Sequence, residues 1–425
     1  MSHLMSQSIN LYNQLAKNKL FSKSVNFDLK RIKLVLKKLH NPERKLRNVV
    51  NVIGSDGKYS LLTSLKYFIE ANHQRTSAYI SPSLKDIRER FWMGNSFLSY
   101  NEIKKTVKII EKQKINLTIF EALTVIFILN AAKRNNDYNL IEAGALFAKD
   151  STNLFDFPKI QAVVNINKQH LNFLKNKTLN EVIYQKVGFL SNFAECIYIG
   201  KQKPLVLKKI KQFLKKNSSL IQYSNSWRLI KLNNSFFYKD KKTKIKLNTK
   251  YIHSKGLLQN LCLAIKIALD LKIDKKIIAK TIPKIKFEAR IDYITKGRLT
   301  KKIHRNEKLL IDGCHSEISA KNLTNYLKTL KTPIYGIWSM TKNKDPDRFI
   351  KQFKGIFKKI ITIPIENESA SLSNKLLLKI AKKNNYLSES AESFEEALKK
   401  LSSKEKKIIC CMGSLYSAGQ ILKKN

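Results

Sequence analysis

The chain has few cysteines, glycines and prolines, and it lacks any long apolar segment. Its 425 residues include 5 cysteines, 13 glycines and 8 prolines. Because the number of cysteines is odd and no Cys-x-x-Cys pair occurs, we expect neither a disulfide framework nor a cysteine zinc site. No apolar run approaches the ~20 residues that span a bilayer, and the N-terminus has neither the basic start nor the apolar stretch of a signal peptide. These absences predict a cytoplasmic protein without a membrane segment.

Acidic residues are also scarce. The chain has 81 Lys and Arg against 32 Asp and Glu, which gives a net charge of +49. Such a charge indicates either nucleic-acid binding or a general lysine bias that attracts anionic small molecules. The lysines occur in nearly every segment, and no zinc-finger or RNP-type aromatic motif accompanies them. The sequence therefore favours the general bias and predicts no specific nucleic-acid partner.

The segment 49–60, VVNVIGSDGKYS, is the most informative stretch. Its apolar start predicts a buried strand, and the apolar spacing of 61–71 predicts a helix. A strand, a glycine-containing loop with a lysine, and a helix together form the arrangement that binds phosphates through backbone N–H groups. The loop is shorter than the standard G-x-x-x-x-G-K-[ST] motif, so an ordinary glycine turn explains these residues equally well.

Polar residues follow several other predicted strands. Ser81 follows the strand 78–80, Glu142 ends the strand 138–142, and His170 follows the strand 162–166. The carboxyl ends of neighbouring parallel strands share one crevice, where these side chains and Ser60 could bind a divalent ion. Taken singly, each residue has an ordinary structural explanation as a strand end, a cap or a turn residue.

Strands and helices alternate along the whole chain, which predicts an α/β protein with mostly parallel sheets. A boundary is expected near 281–298, where Pro283 and a basic stretch interrupt the pattern. We therefore predict an N-terminal P-loop domain at 1–283 and a smaller, doubly wound, Rossmann-like C-terminal domain at 284–425. A helical region is predicted over 8–46, with its helix ended by Asn41-Pro42, and further helices are predicted at 100–112, 118–134, 178–188, 254–271, 319–330, 345–357 and 374–384. Thr178 and Glu181 predict a capping box for the helix at 178–188.

The order of the motifs resembles the folylpolyglutamate synthase/dihydrofolate synthase family, which belongs to the Mur-type ATP-dependent amide ligases. The resemblance covers almost the full length. The matching segments are 39–43 (LHNPE, similar to L-G-N-P-E), 54–60 (GSDGKYS, similar to G-T-N-G-K-G-S), 80–84 (ISPSL, similar to T-S-P-H-L), 118–124 (TIFEALT, similar to T-F-F-E-x-L-T), 169–174 (QHLNFL, similar to D-H-x-x-F-L), 185–188 (QKVG, similar to E-K-A-G), 312–315 (DGCH, similar to D-G-A-H) and 413–419 (GSLYSAG, similar to G-S-L-Y-x-A-G).

The resemblance implies ATP and Mg²⁺ as cofactors and assigns residues to them. The residues that would bind ATP are Gly54, Gly57, Lys58, Tyr59, Ser60, Arg290 and Asp312. The residues that would bind Mg²⁺ are Ser60, Ser81, Glu142, His170 and Lys186. Lys58 would act on the transferring phosphate, and Lys186 would be the lysine that family members carry as a carbamate.

The resemblance also implies the substrates, namely L-glutamate and either dihydropteroate or a reduced folate. The residues that would lie near the pterin are Phe120, Glu121, Leu123 and Thr124. His315 would lie near the reacting centre. A substrate carboxylate would attack the γ-phosphorus of ATP, and the amine of glutamate would then attack the acyl phosphate. We expect the protein to be a monomer.

Several positions depart from the family pattern. Tyr59 replaces a glycine, Ser83 replaces a histidine, and Gln169 replaces an acid. Cys262 stands where a nucleotide-contacting asparagine is expected, so that role is not assigned. Two alternatives to a folate–glutamate ligase therefore stay open: a Mur-like amide ligase with another substrate, and a basic nucleic-acid-binding protein that has lost catalysis.

Overall fold

The computed structural model describes residues 11, 13–24, 26–233 and 235–425, and the chain forms two compact units. The first unit extends to Asn248 and resumes over Leu257–Ile285. The second unit consists of Thr249–Gly256 and Lys286–Asn425. The boundary expected from the sequence, between residues 283 and 284, lies two residues before the end of the first unit.

The first unit contains twelve named strands. They are β1 Phe21–Ser22, β2 Val49–Ile53, β3 Thr76–Tyr79, β4 Phe91–Met93, β5 Leu117–Thr118, β6 Tyr138–Glu142, β7 Ile160–Val163, β8 Cys196–Ile199, β9 Leu220–Tyr223, β10 Trp227–Leu232, β11 Ser235–Asp240 and β12 Lys244–Lys246. Seven of them form the main sheet in the order β4-β3-β6-β2-β7-β8-β9. All neighbouring pairs in this sheet are parallel except β3 and β4. This order places β3, β6, β2 and β7 side by side, so their carboxyl ends meet at one edge.

Helices pack against this sheet through two hydrophobic clusters. The helices are α1 Leu29–Lys38, α2 Lys58–Ala71, α3 Tyr100–Glu111, α4 Ile119–Arg134, α5 Leu179–Val187, α6 Pro204–Phe213, α7 Lys255–Asp270 and α8 Lys275–Thr281. One cluster includes apolar residues of α1, α3 and α4, and the other includes apolar residues of α5 and α6. Capping boxes begin α3 at Ser99 and α4 at Thr118, which fixes where these helices start.

Most of the elements predicted for this unit are confirmed, and two expectations are wrong. The helix expected over 8–46 is not continuous: among the described residues, 11 and 13–17 are helical, β1 follows, and α1 comes next. Its expected end at Asn41-Pro42 is confirmed, because a 3₁₀ turn, Pro42–Lys45, follows α1. Residues 8–10, 12 and 25 of the predicted region lie outside the described part of the chain. Thr178 caps α5, but Glu181 accepts from the backbone of Lys175 and Asn176 instead of completing a box.

The strands after β9 do not continue the main sheet. Strands β10, β11 and β12 form a separate antiparallel sheet joined by short connections. The helix α6 was also not predicted, because its lysine-rich sequence conceals the apolar positions Val206 and Ile210 that it buries.

The second unit contains a six-stranded sheet in the order β13-β14-β18-β15-β16-β17, in which only the β13–β14 pair is antiparallel. Its strands are β13 Asp292–Ile294, β14 Glu307–Ile311, β15 Ile334–Trp338, β16 Phe357–Thr362, β17 Ser388–Ser390 and β18 Lys407–Met412. Its helices are α9 Glu317–Leu327, α10 Pro346–Lys351, α11 Asn374–Lys383, α12 Phe394–Leu401 and α13 Leu415–Lys423. The α/β architecture with parallel-rich sheets is confirmed. The helix predicted at 345–357 is wrong in length, because Phe357 is the first residue of β16.

None of the described helices is long and apolar enough to cross a bilayer. All five cysteines are buried and reduced.

Candidate active site

The strand order of the first unit brings three of the predicted site segments together. The loop 54–57 follows β2, Ser81 follows β3, and Glu142 is the last residue of β6. Because β3, β6 and β2 are adjacent and parallel, the three segments meet at the carboxyl edge of the sheet. The sequence predicted the polar residues at the strand ends, and the topology explains why they converge.

The loop after β2 has a backbone that requires glycine at two positions. Gly54 has φ +147°, and a Cβ there would lie 2.4 Å from a methyl group of Val164. Gly57 has φ +96° and is the N-cap residue of α2, where no described side chain provides a cap. The N–H groups of the first turn of a helix have no partner within the helix, so this end of α2 can bind an anion.

Lys58 and Glu142 lie beside this helix end. The Nζ atom of Lys58 is 3.9 Å from Oε1 of Glu142, and it donates a hydrogen bond to the Gly54 carbonyl at 3.4 Å. The backbone N–H of Ser81 donates to Oε2 of Glu142 at 3.0 Å. The Glu142 side chain is only 5% exposed, so its charge is held at the edge of the sheet with little contact with water. A buried carboxylate and a lysine at a phosphate-binding loop can together bind a metal-chelated triphosphate.

Ser60 contacts a residue that the sequence reasoning missed. Nδ2 of Asn260, on α7, donates to the Ser60 Oγ at 2.9 Å and to the Gly57 carbonyl at 3.4 Å. Ser60 Oγ donates in turn to that same carbonyl at 2.9 Å. The sequence comparison looked for an asparagine at Cys262, which is buried and packs in the core. The sequence did contain a signal for this role, because Asn260 lies only two positions before Cys262 on the same helix.

Lys186, on α5, is the most unusual titratable group near the loop. Its side chain is 1% exposed, and its amine donates to the carbonyls of Gly54, at 2.9 Å, and of Ala145. Burial, with repulsion from Lys58, lowers the pKa of Lys186 from 10.5 to about 7. A large share of this amine is therefore neutral near pH 7, and the neutral form is the one that can react with an electrophile such as CO₂.

A hydrogen-bond network joins the loop to the segment after β7. Nδ2 of Asn167 donates to Oδ2 of Asp56 at 2.6 Å, and Nε2 of Gln169 donates to both Asp56 oxygens at 3.0 and 3.1 Å. The Ser55 N–H donates to the Asn165 carbonyl at 2.8 Å. These contacts hold the loop against the neighbouring strand.

The donors at this edge fit a hard divalent ion such as Mg²⁺. Glu142 supplies carboxylate oxygens, and the Ser60 hydroxyl supplies a third oxygen, which are the ligand types that Mg²⁺ prefers. No group of three or more His, Cys, Asp and Glu suited to a metal occurs among the described residues. This is compatible with the predicted ligands, since only two of them belong to those four residue types. His170 has a left-handed backbone, and its ring centroid is 6.3 Å from that of Phe173, so its metal role stays a prediction.

The residues predicted to contact the pterin lie on the first turns of α4. Glu121 completes the capping box with Thr118 and forms an ion pair with Arg31 at 3.0 Å. Leu123 is part of the hydrophobic core, and the Thr124 hydroxyl shares a hydrogen bond with Ser151 at 2.8 Å. The side chains of Glu121, Leu123 and Thr124 are therefore engaged in contacts within the protein.

Phe120, the fourth of these residues, is partly buried, and its ring lies near Gly144 and Tyr79. A Cβ on Gly144 would lie 3.0 Å from its ring, and the ring centroid of Tyr79 is 6.0 Å away. Glycine at position 144 therefore leaves the room that this ring occupies. The substrate roles of the α4 residues stay predictions.

Three predicted site residues belong to the second unit. Asp312, after β14, accepts from the N–H groups of Ile291 at 2.7 Å and Cys314 at 2.8 Å. Burial raises the pKa of Asp312, and the charge of Arg290 opposes that rise. Nδ1 of His315 is 2.9 Å from the Gly313 carbonyl, just before Ser316 caps α9. Asp312 thus fixes the two backbone segments that carry Arg290 and His315.

The chain is similar to a family model in its C-terminal part and to known proteins over most of its length. The family model described as dihydrofolate synthetase, C-terminal domain, matches residues 295–424. The dihydrofolate synthetase of Saccharomyces cerevisiae is 21% identical over 94% of this chain and 98% of its own length. The dihydrofolate synthase/folylpolyglutamate synthase of Buchnera aphidicola is 21% identical over 95% of this chain and 94% of its own.

The chain is similar over nearly its full length to members of the dihydrofolate synthase/folylpolyglutamate synthase family. Solved structures of family members have the same fold. Escherichia coli FolC in complex with DHPP and ADP superposes with a TM-score of 0.85 at 19% identity and covers 97% of each chain. The Yersinia pestis bifunctional enzyme complexed with AMPPNP and Mn ion superposes with a TM-score of 0.83 at 17% identity, over 98% of this chain and 97% of that one. The family resemblance predicted from the motifs is confirmed.

Proposed function

We propose that this protein is an ATP-dependent ligase that joins L-glutamate to dihydropteroate, to the γ-carboxyl of a reduced folate, or to both. The observation that carries the proposal is the cluster at the carboxyl edge of the first sheet. There the N-terminus of α2, the amine of Lys58 and the buried carboxylate of Glu142 lie together. The names of the relatives and the ADP and AMPPNP complexes of the structural neighbours support the same reaction.

The proposed chemistry has two steps. A carboxylate oxygen of the folate substrate attacks the γ-phosphorus of ATP, and ADP leaves, which yields an acyl phosphate. The amine of glutamate then attacks the acyl carbon, loses a proton and expels inorganic phosphate to give the amide. In the first step, the N–H groups at the start of α2 and the ammonium of Lys58 stabilise the negative charge on the phosphates.

Mg²⁺ would be bound by Ser60, Ser81, Glu142 and His170, and it would neutralise charge on the β- and γ-phosphates. Lys186 lies beneath the Gly54 carbonyl, and its low pKa suits it to carbamylation. We propose that the carbamate of Lys186 is an additional metal ligand.

The remaining roles follow from the family resemblance. Residues 1–283 would bind ATP, and residues 284–425 would form the glutamate ligase domain. Arg290 and Asp312 would contact the nucleotide, and His315 would lie near the reacting centre. We further propose that the protein is cytoplasmic and monomeric, and sedimentation of the purified chain would give the mass of one copy.

The test is phosphate release from Mg-ATP in the presence of L-glutamate. Release that depends on dihydropteroate establishes the first activity, and release that depends on tetrahydrofolate establishes the second. Glu142→Gln keeps the shape of the side chain but removes its charge, so we expect kcat to fall by about 100-fold or more. The circular dichroism spectrum should not change.

The matched control is Glu195→Gln, which makes the same change at a glutamate whose side chain is 67% exposed. This variant should keep full activity. Absence of phosphate release with both folate substrates from the folded wild-type protein would refute the proposal. Full activity of Glu142→Gln would refute the role assigned to that carboxylate.

A further inference from the structure

The small antiparallel sheet β10–β12 has two chemically different faces. Trp227, Tyr238 and Ile245 are buried on one face. Because side chains alternate along a strand, the intervening residues point to the other face. We call this other face the basic face, and its residues are Arg228, Ile230, Leu232, Ser235, Phe237, Lys239, Lys244 and Lys246.

Three cations on the basic face stand directly opposite one another. Arg228 pairs with Lys239 across β10 and β11, and Lys239 pairs with Lys244 across β11 and β12. Like charges directly opposite on adjacent strands destabilise a sheet. In the described part of the chain, no carboxylate lies within 4.0 Å of the amino or guanidinium nitrogens of these residues. The repulsion in this row is therefore not offset within the protein.

Some lysines of the chain have the acid partner that this row lacks. Lys66 pairs with Glu70 at 2.8 Å and Lys266 pairs with Asp270 at 2.7 Å, each four residues along a helix. A general lysine bias explains many cations on many surfaces. Because 32 Asp and Glu are too few to pair with 81 Lys and Arg, the missing acid alone does not distinguish this row. Its distinguishing feature is that three cations stand directly opposite one another, an arrangement that a bound polyanion would stabilise.

The next row of the basic face adds an aromatic ring. Phe237 stands between Ile230 and Lys246, and its ring is partly exposed. The ammonium of Lys244 lies 4.8 Å from the centre of that ring. An aromatic ring on a sheet, with cations beside it, is the combination that binds single strands, because bases stack on the ring while phosphates contact the cations.

We propose that the basic face binds single-stranded nucleic acid without sequence preference. This agrees with the absence of a specific nucleic-acid motif in the sequence, since the contacts would be to phosphates and to the faces of bases. The cations occupy four of the eight positions on the face, and the apolar residues Ile230, Leu232 and Phe237 lie beside one another. The row of three opposed cations favours a polyanionic strand, and vesicle binding is measured to test the membrane as the other anionic surface.

The test compares two triple variants of the full chain with the same loss of charge. The first is Arg228→Ala/Lys239→Ala/Lys244→Ala, and the control is Lys104→Ala/Lys105→Ala/Lys108→Ala on the exposed side of α3. Binding of a fluorescent oligo(dT) is measured by anisotropy over a range of salt concentrations. Each phosphate contact contributes about 0.7 to the salt slope on a single strand. The first variant should therefore lose about 2 units of slope and about 100-fold in affinity at 0.1 M salt, and the control should lose neither.

Phe237→Leu supplies an independent measurement, because it keeps an apolar side chain but removes the ring. We expect a loss of about five-fold or more in affinity with an unchanged salt slope. Equal losses in the two triple variants would overturn the proposal in favour of diffuse charge. Failure of oligo(dT) to bind, or binding only to phosphatidylserine vesicles, would also overturn it.

Discussion

The buried amine of Lys186 predicts a specific dependence of stability on pH. Its pKa is lowered from 10.5 to about 7, which corresponds to a cost of about 5 kcal/mol for holding the charged form in the folded protein at low pH. Between pH 7 and pH 10.5 the unfolded chain binds more protons at this lysine than the folded chain does. The free energy of unfolding therefore rises with pH in that window. Over pH 7 to 9 the rise from this one group is about 2 kcal/mol.

The perturbation is Lys186→Met, which has a similar length but no titrating group. The variant loses the hydrogen bonds to the Gly54 and Ala145 carbonyls, so it should be less stable overall. Its gain in unfolding free energy from pH 7 to pH 9 should be smaller than that of the wild type by about 2 kcal/mol. Urea unfolding at pH 7, 8 and 9 in CO₂-free buffer measures this difference and keeps the amine uncarbamylated.

Lys104→Met, at an exposed position of α3, is the control, and its pH dependence should match that of the wild type. A difference between wild type and Lys186→Met below about 0.5 kcal/mol over this pH range would refute the reasoning. It would mean that the folded protein does not hold this amine at a pKa near 7.

Two further predictions concern a hydrogen bond and an ion pair. Asn260→Ala removes the donor to Ser60 and to the Gly57 carbonyl, so we expect KM for ATP to rise about five-fold with little change in kcat. The control Gln259→Ala, one residue away, should leave KM and kcat unchanged. An unaltered KM would show that this contact does not position the loop. Lys407→Met leaves the buried carboxylate of Glu307, 3.7 Å away, without its cation, so the free energy of unfolding measured in urea should fall by about 3–5 kcal/mol. The control Lys406→Met, at an exposed position, should not change it. Equal stabilities of the two variants would contradict this role of the ion pair.

The parts of the fold that could be predicted are those whose local pattern agrees with their burial. The strand at 138–142 was predicted with its observed limits, because all five residues of β6 are buried. The helix α10 was predicted too long, because Phe349, Phe353 and Phe357 have helical spacing although the chain turns before Phe357. Periodicity alone does not distinguish a helix from a turn that buries the same aromatic residues.

The candidate site was predictable where a residue follows a strand and not where a partner comes from a distant helix. Lys58 and Ser81 were found from their positions after β2 and β3, and Glu142 from its position as the last residue of β6. Asn260 was missed because its role depends on α7 packing near Ser60, 200 residues earlier in the chain. The environment of Lys186 was likewise invisible in the sequence, since its low pKa arises from complete burial and from Lys58.

Two departures from the family pattern are connected by the structure. The motif G-T-N-G-K-G-S has an amide where this chain has Asp56, and the motif D-H-x-x-F-L has an acid where this chain has Gln169. Considered separately, each change removes a group on which the family pattern depends. In the structure the Gln169 amide donates to both carboxylate oxygens of Asp56, so the pair retains one acid and one amide in exchanged positions. The exchange leaves a donor, the Gln169 amide, facing an acceptor, the Asp56 carboxylate, beside the phosphate loop. The two departures from the family motifs are therefore compatible with each other in this fold.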